Sequence, residues 1–485
     1  MKKRRNVILI SADQLRKDFL GRGFTPNIDA LMNESIVYDS CYCNSPLCVP
    51  ARGAMLTGTY PATNGSLINP WQPPDIPYGL VKDGIENIYG IMEGLGYECI
   101  HTGKQHLYTE NGNIETRPDE YHTRFITTEK TYKAWLKENG YPRPGGKAFR
   151  TTVPKLVGGR YTVAKGNSNG RTGIYKGPEN AYFDVYFTDQ LLEHIDERDR
   201  EKPLFLACMY LAPHPPFCIP ERYFNMYTSE DIPIQGNTGT WSELQSPLQL
   251  YQITGSIGNS FTRDEWQETW RVYAGLCTLL DDQVKRVIDY LKKEGLYDDS
   301  VIIFTSDHGE MLGDHQLFQK MCMYQEVVSV PLSIRIPGVE GRKVDTLTTH
   351  IDLLPTLMDI LGEERIPQFQ GESLMGEKKE KLAYIQFDGT DELGNFSRAV
   401  TDGRMKLVMD IFKDEIFPEL YDTKKDPEET ENLAFDSKYW PLFNQMLGHL
   451  EKHMKESGDF LELDGFDIAE TIGEYNHAMG KQRDN

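Results

Sequence analysis

The chain has 485 residues, enough to bury a large core. It carries 73 acidic residues against 52 lysines and arginines, for a formal net charge of -21. This balance argues against nucleic-acid binding, which needs a basic surface. Any anion that this protein binds must therefore meet a local cluster of positive charge.

The amino terminus combines the basic run "MKKRR" with a short apolar segment. That segment reaches Asp13 and Arg16 at once and lacks a small-residue cleavage site, so it does not predict a signal peptide. No uninterrupted apolar stretch is long enough to span a bilayer. We therefore predict a cytoplasmic protein without a membrane partner, and the sequence leaves its oligomeric state open.

Strand-like and helical segments alternate over most of the chain. "NVILISAD", "PLFLACMYLAPH" and "SVIIFTSDHGE" contain apolar runs that end in polar residues, as is typical of buried parallel strands. The alternation predicts an α/β fold with a large, mostly parallel sheet flanked by helices. Ligands of such sheets bind beyond the carboxyl ends of the strands, where Asp13 and Asp307 fall.

A charged stretch, "GEKKEKL", marks a predicted domain boundary near residue 378. We predict a main domain over residues 1–378 and a smaller C-terminal subdomain over residues 379–485. Segments such as "LAYIQFD", "SRAVTDGRMKLVMDI" and "FPELYDT" predict short strands, and "YWPLFNQMLGHLEKHMKES" predicts an amphipathic helix. The C-terminal part should therefore be an α+β unit built on an antiparallel sheet.

A Gly-rich segment at about residues 139–178 is basic, in contrast to the chain as a whole. It contains no Asp or Glu. Its positively charged residues are Arg143, Lys147, Arg150, Lys155, Arg160, Lys165, Arg171 and Lys176. Such a segment is a candidate for contact with a polyanion. The alternative is a solvated insertion whose charge has no partner.

Cys48 lies at the start of a predicted helix. In "NSPLCVPARGAMLTG", Pro50 suits a first helical turn and Gly58 suits a helix end. The free N–H groups and the dipole at a helix amino terminus favour an anion. Arg52, one turn along, adds a positive charge at the same point. The arrangement indicates chemistry at Cys48, whereas most of the eight cysteines are predicted to be buried free thiols.

Three interpretations of Cys48 compete. A phosphatase-type thiolate loop needs more than three residues between its Cys and its Arg, so that successive N–H groups can surround a phosphate. A zinc site formed by Cys41, Cys43 and Cys48 lacks a second ligand pair at a familiar spacing. The third interpretation is a cysteine that is converted into another group.

The segment "CVPAR" resembles the C-x-P-x-R signature of the sulfatase family, in which the cysteine is oxidised to formylglycine. The wider "SPLCVPARGAMLTGTYP" is similar to the family's segment almost throughout. "TGKQH", "APHPPF" and "GDHQLFQKMCMYQE" follow in the family's order, and "PELYDTKKDPEETENLA" resembles its closing strands. The resemblance covers most of the chain and implies an alkaline-phosphatase-like fold and a sulfatase similar to glycan sulfatases.

The ends of two predicted strands suggest a site for a hard cation. Asp13 and Asp307 end these strands, and Gln14 and His308 follow them directly, so oxygen-rich ligands converge. The resemblance implies calcium or a related divalent ion, bound by these residues and by formylglycine made from Cys48. Many family members have Asp at the position of Gln14 and Asn at that of His308, and a histidine favours Mn, Fe or Zn. The alternative is that each Asp caps the turn after its strand.

Positive charges complete the implied site. By resemblance, Arg52 stabilises the hydrate of the aldehyde, and Lys104 and Lys320 neutralise the oxygens of the sulfate. Lys104 and His106 are spaced so that both side chains lie on one side of an extended segment.

Histidines supply the proton transfers that the resemblance implies. His106 would be the base that deprotonates the second hydroxyl of the hydrate, and His214 would protonate the leaving alcohol. His315 is a further substrate-binding candidate. The predicted catalytic and substrate-binding residues are Cys48, Arg52, Lys104, His106, His214, His315 and Lys320.

These observations predict a sulfuric ester hydrolase that acts on a sulfated carbohydrate, such as a glycosaminoglycan-derived saccharide. They also imply a partner, the maturation enzyme that generates formylglycine. An alternative function, supported by Gln14 and His308, is that of a phosphonate monoester or phosphodiester hydrolase of the same superfamily. A second alternative is a catalytically inactive homologue that binds polyanions.

Overall fold

The structure is a computed structural model that describes residues 4–70, 78–116, 120–157, 160–376 and 381–483. The strands of the described residues, in chain order, are β1 (Asn6–Asp13), β2 (Ile36–Tyr42), β3 (Glu98–Gly103), β4 (Tyr108–Thr109), β5 (Gly112–Asn113), β6 (Arg124–Phe125), β7 (Arg150–Val157), β8 (Arg160–Ser168), β9 (Thr172–Ile174), β10 (Leu204–Pro213), β11 (Phe217–Ile219), β12 (Ser300–Ser306), β13 (Leu332–Arg335), β14 (Arg342–Thr349), β15 (Ala383–Phe387), β16 (Phe396–Thr401), β17 (Met405–Phe412) and β18 (Glu415–Asp422).

The helices are mostly short, apart from one of 31 residues. In chain order they are α1 (Pro26–Asn33), α2 (Cys48–Thr57), α3 (Pro61–Asn64), α4 (Ile88–Gly94), α5 (Glu129–Glu138), α6 (Phe183–His194), α7 (Glu221–Phe224), α8 (Ile253–Gly258), α9 (Arg263–Lys293), α10 (Gln325–Val328), α11 (Leu353–Leu361), α12 (Trp440–Ser457) and α13 (Ile468–Arg483). None of the helices in the described part of the chain has the length and apolar character of a membrane span.

The main sheet has eight strands in the order β14-β2-β13-β12-β1-β10-β3-β6. Only the pairings of β13 with its two neighbours are antiparallel within this sheet, so the predicted mostly parallel α/β fold is confirmed. Strand β1 is buried along its whole length, as its apolar sequence predicts. Helices α6 and α9 pack against β10.

The register of the central strands brings the candidate site residues together. Strands β1 and β12 are parallel neighbours, and Ala12 pairs with Ser306. Asp13 and Asp307, one residue further along each strand, are therefore adjacent at the same edge of the sheet. Asp13 also pairs with Pro213, at the end of β10.

The C-terminal part forms an antiparallel sheet of four strands in the order β15-β16-β17-β18, as predicted. Helix α12 packs against it through apolar residues such as Phe443 and Leu450, which share a core with Leu407 and Leu420. Helix α13 was not predicted from the sequence. The proposed boundary at residue 378 lies outside the described residues.

The basic Gly-rich segment contains the antiparallel hairpin of β7 and β8. Its other strand, β9, pairs with β11, which follows the end of β10. The segment is thereby attached beside the carboxyl end of the main sheet. The side chains of Lys155, Arg160 and Lys165 lie outside the described part of the structure.

Candidate active site

Helix α2 begins at Cys48, which confirms the predicted position of the cysteine at a helix amino terminus. The helix ends before Gly58, whose φ of 70° suits a glycine C-cap. All eight cysteines are free and buried. Cys48 differs from the others because it lines a cavity together with charged side chains.

Four predicted metal-binding residues meet at the ends of β1 and β12. The ligand atoms of Asp13, Cys48, Asp307 and His308 all lie within 4.8 Å of one another, and all four residues are buried. The Sγ atom of Cys48 lies 4.0 Å from Oδ1 of Asp13 and 3.3 Å from Nε2 of His308. Residues separated by about 300 positions in the sequence therefore form one compact cluster.

Gln14 adds an amide oxygen beside this cluster. Its backbone has a φ of 70°, and its N–H donates to Oδ1 of Asp307 at 3.0 Å. The side-chain Nε2 donates to Glu310, which leaves Oε1 to accept a hydrogen bond from Lys320 at 2.7 Å. Glu310 was missed in the sequence, although a carboxyl group three residues after Asp307 was visible there.

His308 presents a lone pair to the cluster. Its Nδ1 donates to the carbonyl of Gly309 at 2.9 Å, so whenever the ring is neutral its lone pair is on Nε2, on the side of Cys48. Metal-binding histidines commonly use their second nitrogen in this way. Burial lowers the pKa of His308, but the charge of Asp307 outweighs this and raises it, so a bound cation would compete with a proton for Nε2. Two carboxylates, an amide oxygen and an imidazole nitrogen are a donor set that fits a divalent cation.

Arg52 lies behind the two carboxylates. Its Nε donates to Oδ2 of Asp307 at 2.9 Å, and its Nη2 donates to Oδ2 of Asp13 at 3.2 Å. Burial raises the pKa of Asp13, but Lys104 and the other nearby positive charges outweigh this and hold it well below its usual range. Arg52 therefore orients both carboxylates, a contact that its implied role at the aldehyde did not include.

Two lysines bring positive charge to the cluster. Nζ of Lys104, just after β3, donates to Oδ2 of Asp13 at 2.6 Å. Nζ of Lys320 donates to Sγ of Cys48 at 2.9 Å. Burial and the Asp13 charge raise the pKa of the Cys48 thiol, yet Lys320, Lys104 and His308 bring it below its ordinary value. Position 48 is therefore a place where negative charge is stabilised.

His106 and His214 both line the same cavity. His106 has a φ of 54°, so the chain after Lys104 turns instead of staying extended as the spacing suggested. Its Nε2 lies 4.0 Å from the carboxylate of Glu129, and Nδ1 of His214 donates to the carbonyl of Pro215 at 2.5 Å. Burial, reinforced by the charge of Lys104, lowers the pKa of both imidazoles well below the usual value.

His315 lies apart from the other predicted residues. Its ring stacks on Tyr324 at 3.8 Å, and its Nε2 donates to the carbonyl of Glu428 at 2.9 Å. The chain turns through positive φ angles at His315, Gln316 and Gln319, which carries Lys320 into the cavity and leaves His315 on the other side of the loop. The structure therefore does not bring His315 to the site.

The cavity above Cys48 has a volume of about 440 Å³. Its charged lining residues, in the part of the chain that the structure describes, are four Lys or Arg residues and two carboxylates, namely Lys104, Arg143, Arg150, Lys320, Glu129 and Asp391. This is the local excess of positive charge that an anion-binding site in an acidic protein requires. A larger groove of about 950 Å³, which includes Lys82 and Tyr121, contains none of the predicted site residues.

Comparison with known proteins agrees with this site. The sequence matches the Sulfatase family profile over residues 5–363 and the profile "N-sulphoglucosamine sulphohydrolase, C-terminal" over residues 313–456. It is 28% identical over 449 residues to the uncharacterized sulfatase YidJ of Escherichia coli K12, covering 90% of this chain and 83% of the relative. It is also 28% identical over 495 residues to the multifunctional alkaline phosphatase superfamily protein PehA of Trinickia caryophylli, covering 90% and 93%.

Among solved structures, the phosphonate monoester hydrolase of Agrobacterium radiobacter has a similar fold. The TM-score is 0.75 at 25% sequence identity, and the match covers 94% of this chain and 96% of that one. The Sulfatase profile nevertheless covers most of the present sequence, including Cys48, Asp307 and Lys320. The chain belongs to the sulfatase family, the sulfuric ester hydrolases of the alkaline-phosphatase-like superfamily.

Proposed function

We propose that this sulfatase cleaves a sulfate monoester of a saccharide through formylglycine made from Cys48, with the help of a divalent cation. The observation that carries the proposal is the position of Cys48. It begins a helix, lies 2.9 Å from the ammonium of Lys320 and belongs to a buried Asp–His cluster at the floor of a positively charged cavity.

The modified residue explains why a cysteine is placed here. A hydrated aldehyde at position 48 supplies two hydroxyl groups on one carbon, one to attack sulfur and one whose deprotonation expels sulfate. An ordinary Ser or Cys would need a separate hydrolysis step. The "CVPAR" segment around Cys48 supplies the family's conversion signature, so the proposal includes a formylglycine-generating partner enzyme.

Asp13, Gln14, Asp307 and His308 would hold the cation together with residue 48. When bound, a divalent cation lowers the pKa of a hydroxyl group that it contacts and offsets the negative charge of the sulfate. The two carboxylates and the amide oxygen favour calcium, whereas His308 moves the preference toward Mn, Fe or Zn. We propose calcium as the first cation to test.

Lys104 and Lys320 would neutralise the sulfate oxygens. Both side chains are buried, at 5% and 3% exposure, and both line the cavity. A charge in such a site is screened far less than one at the surface. Positive charges that are fixed before the substrate arrives stabilise the transition state without reorganisation.

His106 and His214 would transfer the protons. A lowered pKa keeps His106 neutral and able to accept a proton, as a base requires. Burial and the charges of Lys104 and Lys320 also lower the pKa of His214. A bound sulfate would offset part of this positive charge and so favour the protonated imidazole that a general acid requires.

The saccharide part of the proposal rests on the C-terminal region and on the cavity. Residues 313–456 match a profile named for N-sulphoglucosamine sulphohydrolase, and Asp391 from this region lines the cavity. The basic segment contributes Arg143 and Arg150 to the lining of the same cavity. A sulfated amino sugar from a glycosaminoglycan is the substrate that these features favour.

The similar phosphonate monoester hydrolase and the presence of Gln14 and His308 support a second candidate, hydrolysis of a phosphonate monoester or phosphodiester. Parallel assays with 4-nitrophenyl sulfate, bis(4-nitrophenyl) phosphate and an aryl phosphonate distinguish the two. We expect the sulfate to have the highest kcat/KM. Faster turnover of either phosphorus ester would reverse the assignment.

Mass spectrometry of the peptide that contains Cys48 tests the mechanism. We expect the mass of an aldehyde or its hydrate in active protein, and no turnover by Cys48→Ala. An intact thiol in fully active protein would refute the mechanism. If no preparation turns over any ester while Cys48→Ala still binds a sulfated glycan, the inactive polyanion-binding alternative is correct.

A further inference from the structure

We propose that Arg143 and Arg150 form a second anion subsite at the mouth of the cavity, which binds a carboxylate or a second sulfate on the same saccharide. The inference rests on the proposed function and deepens it. The substrate class becomes a saccharide with two anionic groups, of which one is cleaved at the floor and the other is held at the mouth.

Positive charge lies at two depths in this cavity. Lys104 and Lys320, beside Cys48, are almost fully buried, whereas Arg143 and Arg150 are exposed but line the same space. A molecule with two separated anionic groups can place one beside the buried lysines and the other beside the exposed arginines.

The charges of the two arginines are only partly compensated within the described part of the structure. Among the described residues, no carboxylate forms an ion pair with either guanidinium. Arg150 instead donates to the carbonyl of Gly166 at 3.0 Å, which attaches it to the β7–β8 hairpin without neutralising its charge. Glu129, which lines the same cavity, pairs with Lys133 at 2.8 Å and attracts both arginines without a direct ion pair.

The charge of Arg143 also acts on Arg150. Burial, and then the positive charge of Arg143, lower the pKa of Arg150 by more than the charge of Glu129 raises it. Two neighbouring cations that Glu129 compensates only in part repel each other, and an anion bound between them would relieve the repulsion. Guanidinium groups suit this task because their paired N–H donors match the oxygens of a carboxylate or sulfate.

Long-range attraction of anions does not explain why Arg143 and Arg150 line the cavity. Lys147 and Lys176 belong to the same basic segment and are exposed, yet they do not line the cavity. A general attraction would depend on the total charge of the segment and would be screened by salt. It would be the same whether the arginines or the lysines carried the charge. A volume of about 440 Å³ also falls in the range of ~300–1,000 Å³ that is typical of small-molecule sites.

Binding to the full-length Cys48→Ala protein tests the subsite without turnover. The probes for calorimetry are glucosamine 6-sulfate, glucosamine 2-N,6-O-disulfate, and glucosamine 6-sulfate linked to a uronic acid. We expect at least one doubly anionic probe to bind about tenfold more tightly than the monosulfate. Comparison of the two doubly anionic probes distinguishes a second sulfate from a carboxylate.

Two double variants, made in the same Cys48→Ala protein, separate the subsite from overall charge. Arg143→Gln with Arg150→Gln should reduce the tenfold preference to about twofold or less. Lys147→Gln with Lys176→Gln removes the same charge from the same segment and should retain the preference. All four side chains are exposed, and thermal unfolding verifies that each variant is folded.

Three results would overturn the proposal: neither doubly anionic probe binds better than the monosulfate, the preference survives loss of both arginines, or it falls equally in the lysine variant. Turnover of 4-nitrophenyl sulfate by protein with Cys48 intact is measured separately. If that turnover is absent while the arginine-dependent preference is present, the proposed function fails and the subsite stands. If turnover is present while the arginine-dependent preference is absent, the subsite proposal fails and the proposed function stands.

Discussion

The ammonium of Lys320 lies 2.9 Å from Sγ of Cys48 and 2.7 Å from Oε1 of Gln14. The first pair is separated by 272 positions in the sequence and the second by 306. One buried cation thus contacts both the predicted nucleophile and a predicted metal ligand. Any negative charge that develops at residue 48 is adjacent to Lys320.

Removal of the Lys320 ammonium should mainly affect catalysis. We expect Lys320→Ala to lower kcat/KM for an aryl sulfate by about 10²- to 10³-fold, the effect typical of losing one preorganised charge donor. Lys202→Ala, which removes an exposed lysine elsewhere, is the control. A loss of less than about fivefold would show that Lys320 does not stabilise the transition state.

Glu310 should act as a positioning residue for Gln14 and Lys320. Its carboxylate accepts hydrogen bonds from the side-chain amide of Gln14 and from the backbone N–H groups of Leu312 and Gln319. We expect Glu310→Gln to weaken divalent-cation affinity about 10- to 100-fold, as is typical when a partner of a metal ligand is lost. Calorimetric titration with the cation measures this directly. Unchanged affinity together with reduced stability would indicate a purely structural role.

A divalent cation should stabilise the folded protein, because the donor set exists only when Asp13 and Asp307 are brought together. At a concentration 100 times the Kd, the expected stabilisation is about 2.7 kcal/mol. Thermal unfolding after chelation, and after addition of Ca, Mn or Zn, measures it. His308→Asn should shift the preference toward Ca because it replaces a nitrogen ligand by an oxygen ligand. A melting temperature that no cation changes would contradict the proposed site.

Acid should weaken the fold partly through His453. Burial lowers its pKa to about 4, and its ring stacks on Tyr384 at 3.8 Å. The unfolded chain, with a histidine pKa of about 6.5, binds more protons between these two values, so the free energy of unfolding falls as pH drops below about 6.5. The loss approaches about 1.4 kcal/mol per pH unit for this group.

His453→Phe should retain the ring stack and remove this dependence. The difference in unfolding free energy between the variant and the parent should therefore grow in favour of the variant by up to about 2 kcal/mol between pH 6.5 and pH 5. Urea unfolding at both pH values measures it. His449→Gln, which removes an exposed histidine from the same helix, is the control. An equal difference at both pH values would contradict the expectation.

Local patterns in the sequence predicted much of the architecture. The apolar runs of β1 and β12 can be recognised from a few neighbouring residues. The same is true of the Pro and Gly residues near the two ends of α2. The fold class and the sulfatase family follow from such patterns and are confirmed. The catalytic roles of Lys104, His106 and His214, the metal and the modified Cys48 remain predictions.

Turns between elements were much harder to predict. His315 and Lys320 are five residues apart, yet only Lys320 lines the cavity. The chain between them turns, with positive φ angles at His315 itself and at Gln316 and Gln319. Such angles have no strong signature in residue type. The contacts of Glu310 and the placement of Arg143 and Arg150 in the cavity lining depend on tertiary packing, which the sequence did not reveal either.

By itself the sequence determined which residues could carry the chemistry, because strand ends, a helix start and the signature around Cys48 are local features. Only the tertiary structure decided which of them meet. The pairing of β1 with β12 places Asp13 beside Asp307, and a loop turn brings Lys320 to Cys48 but leaves His315 outside. Contacts between residues hundreds of positions apart depend on strand register and on a few backbone angles, and neither is encoded in a short stretch of residues.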